Sequence, residues 1–305
     1  MIPSTLLAID AGGTKTDLLW AQPDGRVLAH VQGQGINIAS KPPGAWQEVL
    51  EELFRQAGVD HETVHVVCAG AAGYTLPDRR ALLEHLLQQM LPSARVLVLA
   101  DYAIALEGAT GGNPGVLVIA GTGSIACGRD REGKLMRAGG WGYLLGDEGS
   151  GFWIGREAVR AVLAANEGWG EQTRLYKMLS DTLGSDNCGD WLSALYRTQN
   201  PQSLLAQLAP LVTEAAVQGD APAQGILYQA AEHLAQLVVQ LAQHLQLPAD
   251  FPVCIVGGVW QSQAVLQRFR QHLSEQLPDW QGEVKPPMYS PVEGALLIAQ
   301  RMMWA

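Results

Sequence analysis

One pattern occurs twice in this chain and constrains its fold more than any other feature: an apolar strand, a Gly/Thr turn, a second strand, a polar turn and a third strand. The first copy runs through Leu6–Asp10, the turn Ala11-Gly12-Gly13-Thr14, the strand Thr16–Trp20, the turn Pro23-Asp24-Gly25-Arg26 and the strand Val27–Gln32. The second runs through Val116–Ala120, Gly121-Thr122-Gly123-Ser124, Ile125–Arg129, the polar turn Asp130–Lys134 and Leu135–Ala138. Tight turns between apolar runs make each copy an antiparallel meander, not a strand feeding a helix. A pattern used twice points to an internal duplication in which each copy begins one lobe. A length of 305 residues also leans towards two lobes.

Apolar periodicity between the copies predicts helix Trp46–Ala57, a buried strand His65–Cys68, helix Asp78–Met90, strand Arg95–Ala100 and helix Tyr102–Gly108. Beyond the second copy the chain reads as helical over Gly155–Ala165, Thr173–Leu183, Leu192–Thr198, Leu204–Gln218 and the long amphipathic Ala223–Leu245. A single further strand, Val253–Val256, breaks into Gly257-Gly258 ahead of helix Gln263–Gln276, and helix Val292–Met303 closes the chain. The glycine-rich stretch Gly111–Gly115 is the expected linker before the second copy.

A net charge of −10 and a pI near 5.1 argue against nucleic acid, whose phosphates call for a basic surface. A nucleotide remains open, because a few backbone amides can hold a phosphate on an acidic protein. Cys68, Cys127, Cys188 and Cys254 form no C-x-x-C pair, so buried thiols are expected, without disulfide or metal. The chain enters a strand with no signal-peptide pattern and has no apolar run of membrane-spanning length. The cytoplasm is the expected location, with no membrane partner.

Five segments carry candidate chemistry. In Asp10-Ala11-Gly12-Gly13-Thr14-Lys15-Thr16, two glycines in a hairpin let backbone amides and the Thr14 hydroxyl approach phosphate oxygens. Asp10 at the strand end is placed to hold Mg²⁺. Neither Gly-x₄-Gly-Lys-Ser/Thr nor Gly-x-Gly-x-x-Gly is matched, and alone the segment is a hairpin turn. Gly121-Thr122-Gly123 stands in the equivalent place of the second copy, and two such hairpins facing across a cleft would clamp a polyphosphate. Gly257-Gly258-Val259 is where a flat purine could lie against backbone. Asp101, after strand Arg95–Ala100, reads as a helix N-cap and as a carboxylate able to take a proton from an attacking hydroxyl. The loop Gly139–Gly151 gathers glycines around Trp141, Asp147 and Glu148; an indole offers an apolar face to a sugar ring, and carboxylates accept from its hydroxyls. Asn37 is a further polar candidate.

Ile9–Thr16, Ala100-Asp101, Gly121–Ser124, Gly139–Ser150, Gly257–Val259 and Pro291-Val292-Glu293-Gly294-Ala295 together resemble, in order and over nearly the whole chain, the N-acetylglucosamine kinases of the BadF/BadG/BcrA/BcrD ATPase group within the actin-like ATPase superfamily. The resemblance implies an α/β, two-lobed, ribonuclease H-like fold with duplicated mixed sheets flanked by helices. The lobes would be residues 1–115 with 292–305, and 116–291. It implies an ATP-dependent kinase acting on the 6-hydroxyl of N-acetylglucosamine, with glucosamine or another amino sugar as the alternative. Asp10, Gly12, Gly13, Thr14, Lys15 and Thr16 would form the first phosphate segment, Gly121, Thr122 and Gly123 the second, and Gly257, Gly258 and Val259 the adenosine segment. Asp101 would be the base, Asp10 the Mg²⁺ residue, and Asn37, Gly140, Trp141, Asp147 and Glu148 the sugar contacts. Members of the group are commonly homodimers. A rival from another class on the same fold is an ATP-driven iron–sulfur activator of a CoA-ester dehydratase or reductase, which needs closely placed cysteines at a dimer interface.

Overall fold

A computed structural model of the chain describes residues 4–304. The chain divides into two compact units, one running up to Asn113 and resuming at Pro287, the other spanning Pro114–Pro286.

The first unit is built on the meander β1 (Thr5–Ala11), β2 (Lys15–Ala21) and β3 (Val27–Gln34), followed by α1 (Pro43–Ala57), β4 (Val64–Ala71), α2 (Pro77–Met90), β5 (Arg95–Ala100) and α3 (Asp101–Thr110). Its sheet has the order β3-β2-β1-β4-β5, antiparallel across the meander and parallel from β1 to β5. Both faces of β1 are covered, which is why it reads as an unbroken apolar run. Leu7 and Ile9 pack with Trp46, Leu50, Leu83 and Leu87 of α1 and α2. Leu6 and Ala8 pack with Ile104 and with Val292, Ala295 and Leu296 of the terminal helix Pro291–Trp304. That helix lies against α3 so closely that a Cβ on Gly294 would meet the Ile104 carbonyl oxygen at 2.1 Å. Arg301 crosses to the fully buried Glu107 at 2.6 Å.

The second unit repeats the plan. β6 (Gly115–Ala120), β7 (Ser124–Arg129) and β8 (Leu135–Gly139) form its meander, and α4 (Gly151–Asn166), α5 (Leu175–Leu183), α6 (Cys188–Arg197), α7 (Pro201–Ala206), α8 (Ala209–Val217) and α9 (Ala221–His244) follow. β9 (Val253–Val256), α10 (Gln263–Gln276) and β10 (Val284–Lys285) complete it. The order β8-β7-β6-β9-β10 is that of the first sheet, strand for strand, so the duplication inferred from the turns holds in topology. One cluster fills this unit, with Trp153, Leu234, Val238 and Phe269 among its buried members.

The structure corrects several boundaries. The helix expected over Leu204–Gln218 is two, because the chain turns at Gln207–Leu208 and Pro210 restarts it in the first turn of α8, where a missing N–H costs nothing. α4 begins at Gly151 rather than Gly155, capped by the Ser150 hydroxyl, which accepts from Trp153 N at 3.1 Å. Val253–Val256 is not the last strand, since β10 pairs with it over two residues. Asp101 is the first residue of α3 and not its cap; one carboxylate oxygen accepts from the Tyr102 amide at 2.8 Å.

Candidate active site

In the first unit the candidate residues gather at one end of the sheet. The β1–β2 hairpin exposes Gly13, Thr14 and Lys15, and Asp10 sits in register with Asp17 on β2 and Gly70 on β4. Burial holds the Asp10 carboxyl up to about 6, with the charges of Asp101 and Asp17 adding to it. Burial also raises Asp101, while the amide hydrogen bond from Tyr102 works against it. Two neighbouring carboxylates held above their ordinary range, Asp10 and Asp101, are relieved by a cation and offer the oxygen donors Mg²⁺ takes, while no group of three or more potential metal ligands is clustered among the described residues. Asp17 differs: burial pushes it up, yet hydrogen bonds from Lys15 and Gln32 outweigh that and leave it lowered. The Lys15 ammonium lies 2.8 Å from the Asp17 carboxylate.

Thr16 does not join this surface. It is fully buried, donating its hydroxyl to the Gln34 carbonyl at 2.8 Å and accepting from Ile36 N at 3.1 Å. Its hydrogen-bonding capacity goes to fastening the hairpin to the end of β3, so it is removed from the phosphate-contact set. Asn37 lies beside the hairpin, its side-chain nitrogen 3.9 Å from where a Gly13 Cβ would stand, and its oxygen accepts from Ala39 N at 2.9 Å.

In the second unit the β6–β7 hairpin is closed by the Gly121 amide donating to the Gly123 carbonyl at 3.0 Å. Carbonyls of Gly121 and Thr122 receive the first amides of α4, from Gly151 at 2.8 Å and Phe152 at 3.1 Å. The positive end of that helix therefore abuts the hairpin. Gly257 follows β9 with φ +116°, and a Cβ there would lie 2.2 Å from the Ala120 carbonyl oxygen. Only glycine brings this backbone so close to β6. Gly121 and Gly258 differ from it, since a Cβ on either would meet nothing within 4 Å. They border a cavity of about 650 Å³ that Thr122, Gly151 and Val259 also line. A bare glycine cradle of that volume fits a nucleotide. Ser203 of α7, Gln207 of the turn after it and Thr213 of α8 also line it; the last two were hidden from sequence reading inside one supposed helix, and Ser203 lies just ahead of it.

The glycine-rich loop after β8 turns through left-handed backbone at Gly139, Gly140, Gly142 and Gly149, and also at Asp147 (φ +64°). Trp141, 65 % exposed, projects from it, and Glu148 is exposed too. Asp147 turns inward instead. It is buried, accepting from Ser124 N at 3.2 Å and from the Gln202 amide at 3.3 Å, and burial raises its carboxyl. Gln202, which no motif marked, is thus part of the hairpin's support. Gly140 N donates to the Ser124 carbonyl at 3.1 Å, tying the loop to the hairpin strand.

Three comparisons give this geometry relatives. The pattern of the BadF/BadG/BcrA/BcrD ATPase family matches residues 7–299. An N-acetylmuramic acid/N-acetylglucosamine kinase from Clostridium acetobutylicum is 32% identical over 257 residues, covering 83% of this chain and 84% of the relative. An N-acetyl-D-glucosamine kinase from Dictyostelium discoideum is 31% identical, with 98% of each chain covered. Among solved structures, a candidate N-acetylglucosamine kinase from Chromobacterium violaceum superposes with a TM-score of 0.75 at 29% identity, over 98% of this chain and 100% of that one.

Proposed function

The chain belongs to the BadF/BadG/BcrA/BcrD ATPase family, and on that premise we propose that it is an ATP-dependent kinase phosphorylating N-acetylglucosamine at the 6-hydroxyl. The observation that carries the reading is the repeated hairpin. Two glycine turns hold equivalent places in two sheets of identical order, one beside the carboxylates Asp10 and Asp101, the other beside a nucleotide-sized cavity. The sugar-kinase names of its relatives support the acceptor class.

Asp101 takes the proton of the attacking hydroxyl. Burial strengthens it as a base, so the proton moves readily once the oxygen begins to bond to phosphorus. The hairpin segments Gly12–Thr14 and Gly121–Gly123 cradle the phosphoryl oxygens, and Gly257–Val259 seats the adenosine. Asp10 holds Mg²⁺, which when bound offsets charge on the transferring group. Asn37, Gly140, Trp141 and Glu148 orient the sugar, while Asp147 shapes the loop from below. We take the working form to be a cytoplasmic homodimer, as the family resemblance implies; light scattering of the purified protein tests the assembly. No described helix is long and apolar enough to cross a membrane.

A coupled ADP-release assay with Mg²⁺-ATP and a panel of N-acetylglucosamine, N-acetylmuramic acid, glucosamine and N-acetylmannosamine tests the reading. Strongest turnover with N-acetylglucosamine is expected. ADP release that no sugar stimulates would overturn it and return the iron–sulfur activator as the working alternative.

A further inference from the structure

We infer that Arg137 is a positioning residue for the sugar, holding Trp141 in the orientation that accepts it. This rests on the kinase reading and on Trp141 as a sugar contact.

Arg137 lies on β8, the edge strand of the second sheet, in register with Cys127. Its guanidinium carbon stands 4.2 Å from the centroid of the Trp141 ring. One terminal nitrogen also donates to the carbonyls of Gly139 at 3.1 Å and Gly140 at 3.0 Å. These glycines are consecutive left-handed residues, with φ +71° and +70°. A pair of such residues reverses the chain at the base of the loop, and glycine alone enters that conformation without strain. The same conformational freedom makes the base of the loop soft. A single cation that binds both carbonyls and covers the ring above them ties the turn and the indole into one body.

The indole needs such a brace. It is 65 % exposed, so little packing fixes its rotamer, and a mobile ring would lose conformational entropy when a sugar settled on it. An indole has two faces. The guanidinium takes one and leaves the opposite face for the apolar side of a pyranose. Arginine suits the role better than lysine, because its planar group stacks on the ring while its N–H fork reaches the carbonyls. The sequence alone shows Arg137 as a polar residue on an exposed strand, so no motif would single it out.

The test is steady-state kinetics of Arg137→Ala and Arg137→Lys with N-acetylglucosamine and Mg²⁺-ATP varied separately, beside Trp141→Ala and the double variant. Arg137→Ala is expected to raise KM for the sugar about fivefold, the loss of an exposed cation–π contact together with the preorganisation it gives the indole. KM for ATP and kcat should move less than about twofold, because the nucleotide cavity is untouched. Arg137→Lys should recover part of the loss, and supplies the answer if the alanine variant folds poorly. In the Trp141→Ala background, Arg137→Ala should add nothing further to the sugar KM. An unchanged sugar KM, equal rises in both KM values, or simple additivity in the double variant would each overturn the inference. Wild-type enzyme without sugar-stimulated ADP release fails earlier, sinking the kinase reading and this inference with it.

Discussion

The Ser124 hydroxyl donates to the carbonyl of Glu148 at 2.8 Å, and the Ser124 amide reaches the Asp147 carboxylate at 3.2 Å. One residue at the end of the second hairpin thereby fastens the loop that carries Trp141. Ser124→Ala removes the hydroxyl donor and keeps the amide. A destabilisation of about 1–2 kcal/mol is expected from the lost buried hydrogen bond, seen as a lower denaturant midpoint at unchanged slope. KM for sugar and KM for ATP should rise together, because loop and hairpin loosen as one.

Asp101→Asn keeps the size and the Tyr102 contact of the side chain but removes its basicity. kcat should fall by about 10²–10⁴-fold, the range lost with a positioned general base. ATP affinity, read by calorimetry, should stay within about twofold. Substantial turnover in this variant would mean the proton leaves by another route.

Asp10 carries a pH signature. Its folded carboxyl is raised to about 6 from 3.8, so between those values the folded protein without metal keeps a proton that the unfolded chain gives up. The associated stability is therefore present below about pH 4 and is lost as pH climbs through about 6. It amounts to ~2–3 kcal/mol at one to two units of pH above that range. Asp10→Asn should stabilise the metal-free protein at neutral pH and flatten this slope, measured by chemical denaturation from about pH 4 to 8. Mg²⁺ affinity should run the opposite way, weakening as pH falls below about 6 because holding the ion requires the ionised carboxylate, and added Mg²⁺ should move the acid limb of activity to lower pH.

Two neighbouring glycines should respond differently to alanine. At Gly257 the backbone is left-handed and the new methyl would overlap the Ala120 carbonyl, so a loss of about 2–4 kcal/mol is expected. At Gly258 the methyl would enter open space in the cavity. Stability should then hold within about 0.5 kcal/mol, while KM for ATP rises. Thermal melting paired with nucleotide titration separates the two outcomes.

Much of this architecture was legible because both meanders announce themselves through turn chemistry. Pro23–Arg26 and Asp130–Lys134 bracket apolar runs of strand length, and the glycine hairpins fall at equivalent places. Features that depend on long-range packing were not legible. Apolar spacing runs through the α7–α8 junction without a phase break, so part of the wall of the cavity beside Gly121 and Gly258 stayed hidden. β10 is two residues long, too short for any periodicity. Thr16 looked like its neighbours Thr14 and Lys15, and only the return of β3 shows where its hydroxyl goes. The exposed Trp141 could be found from its glycines, whereas its partner Arg137 needed the strand register.

The last helix also bears on the order in which the chain can be made. It completes the face of the first sheet through Val292, Ala295 and Leu296, and Gly294 locks it against α3. On the ribosome the opening strands therefore wait with one apolar face covered only by α3 until Pro291–Trp304 has emerged. The second unit, continuous from Pro114 to Pro286, is free to fold in the meantime. During synthesis the unit that begins first is finished last, with part of its Leu6–Ala8 face still open to solvent until then.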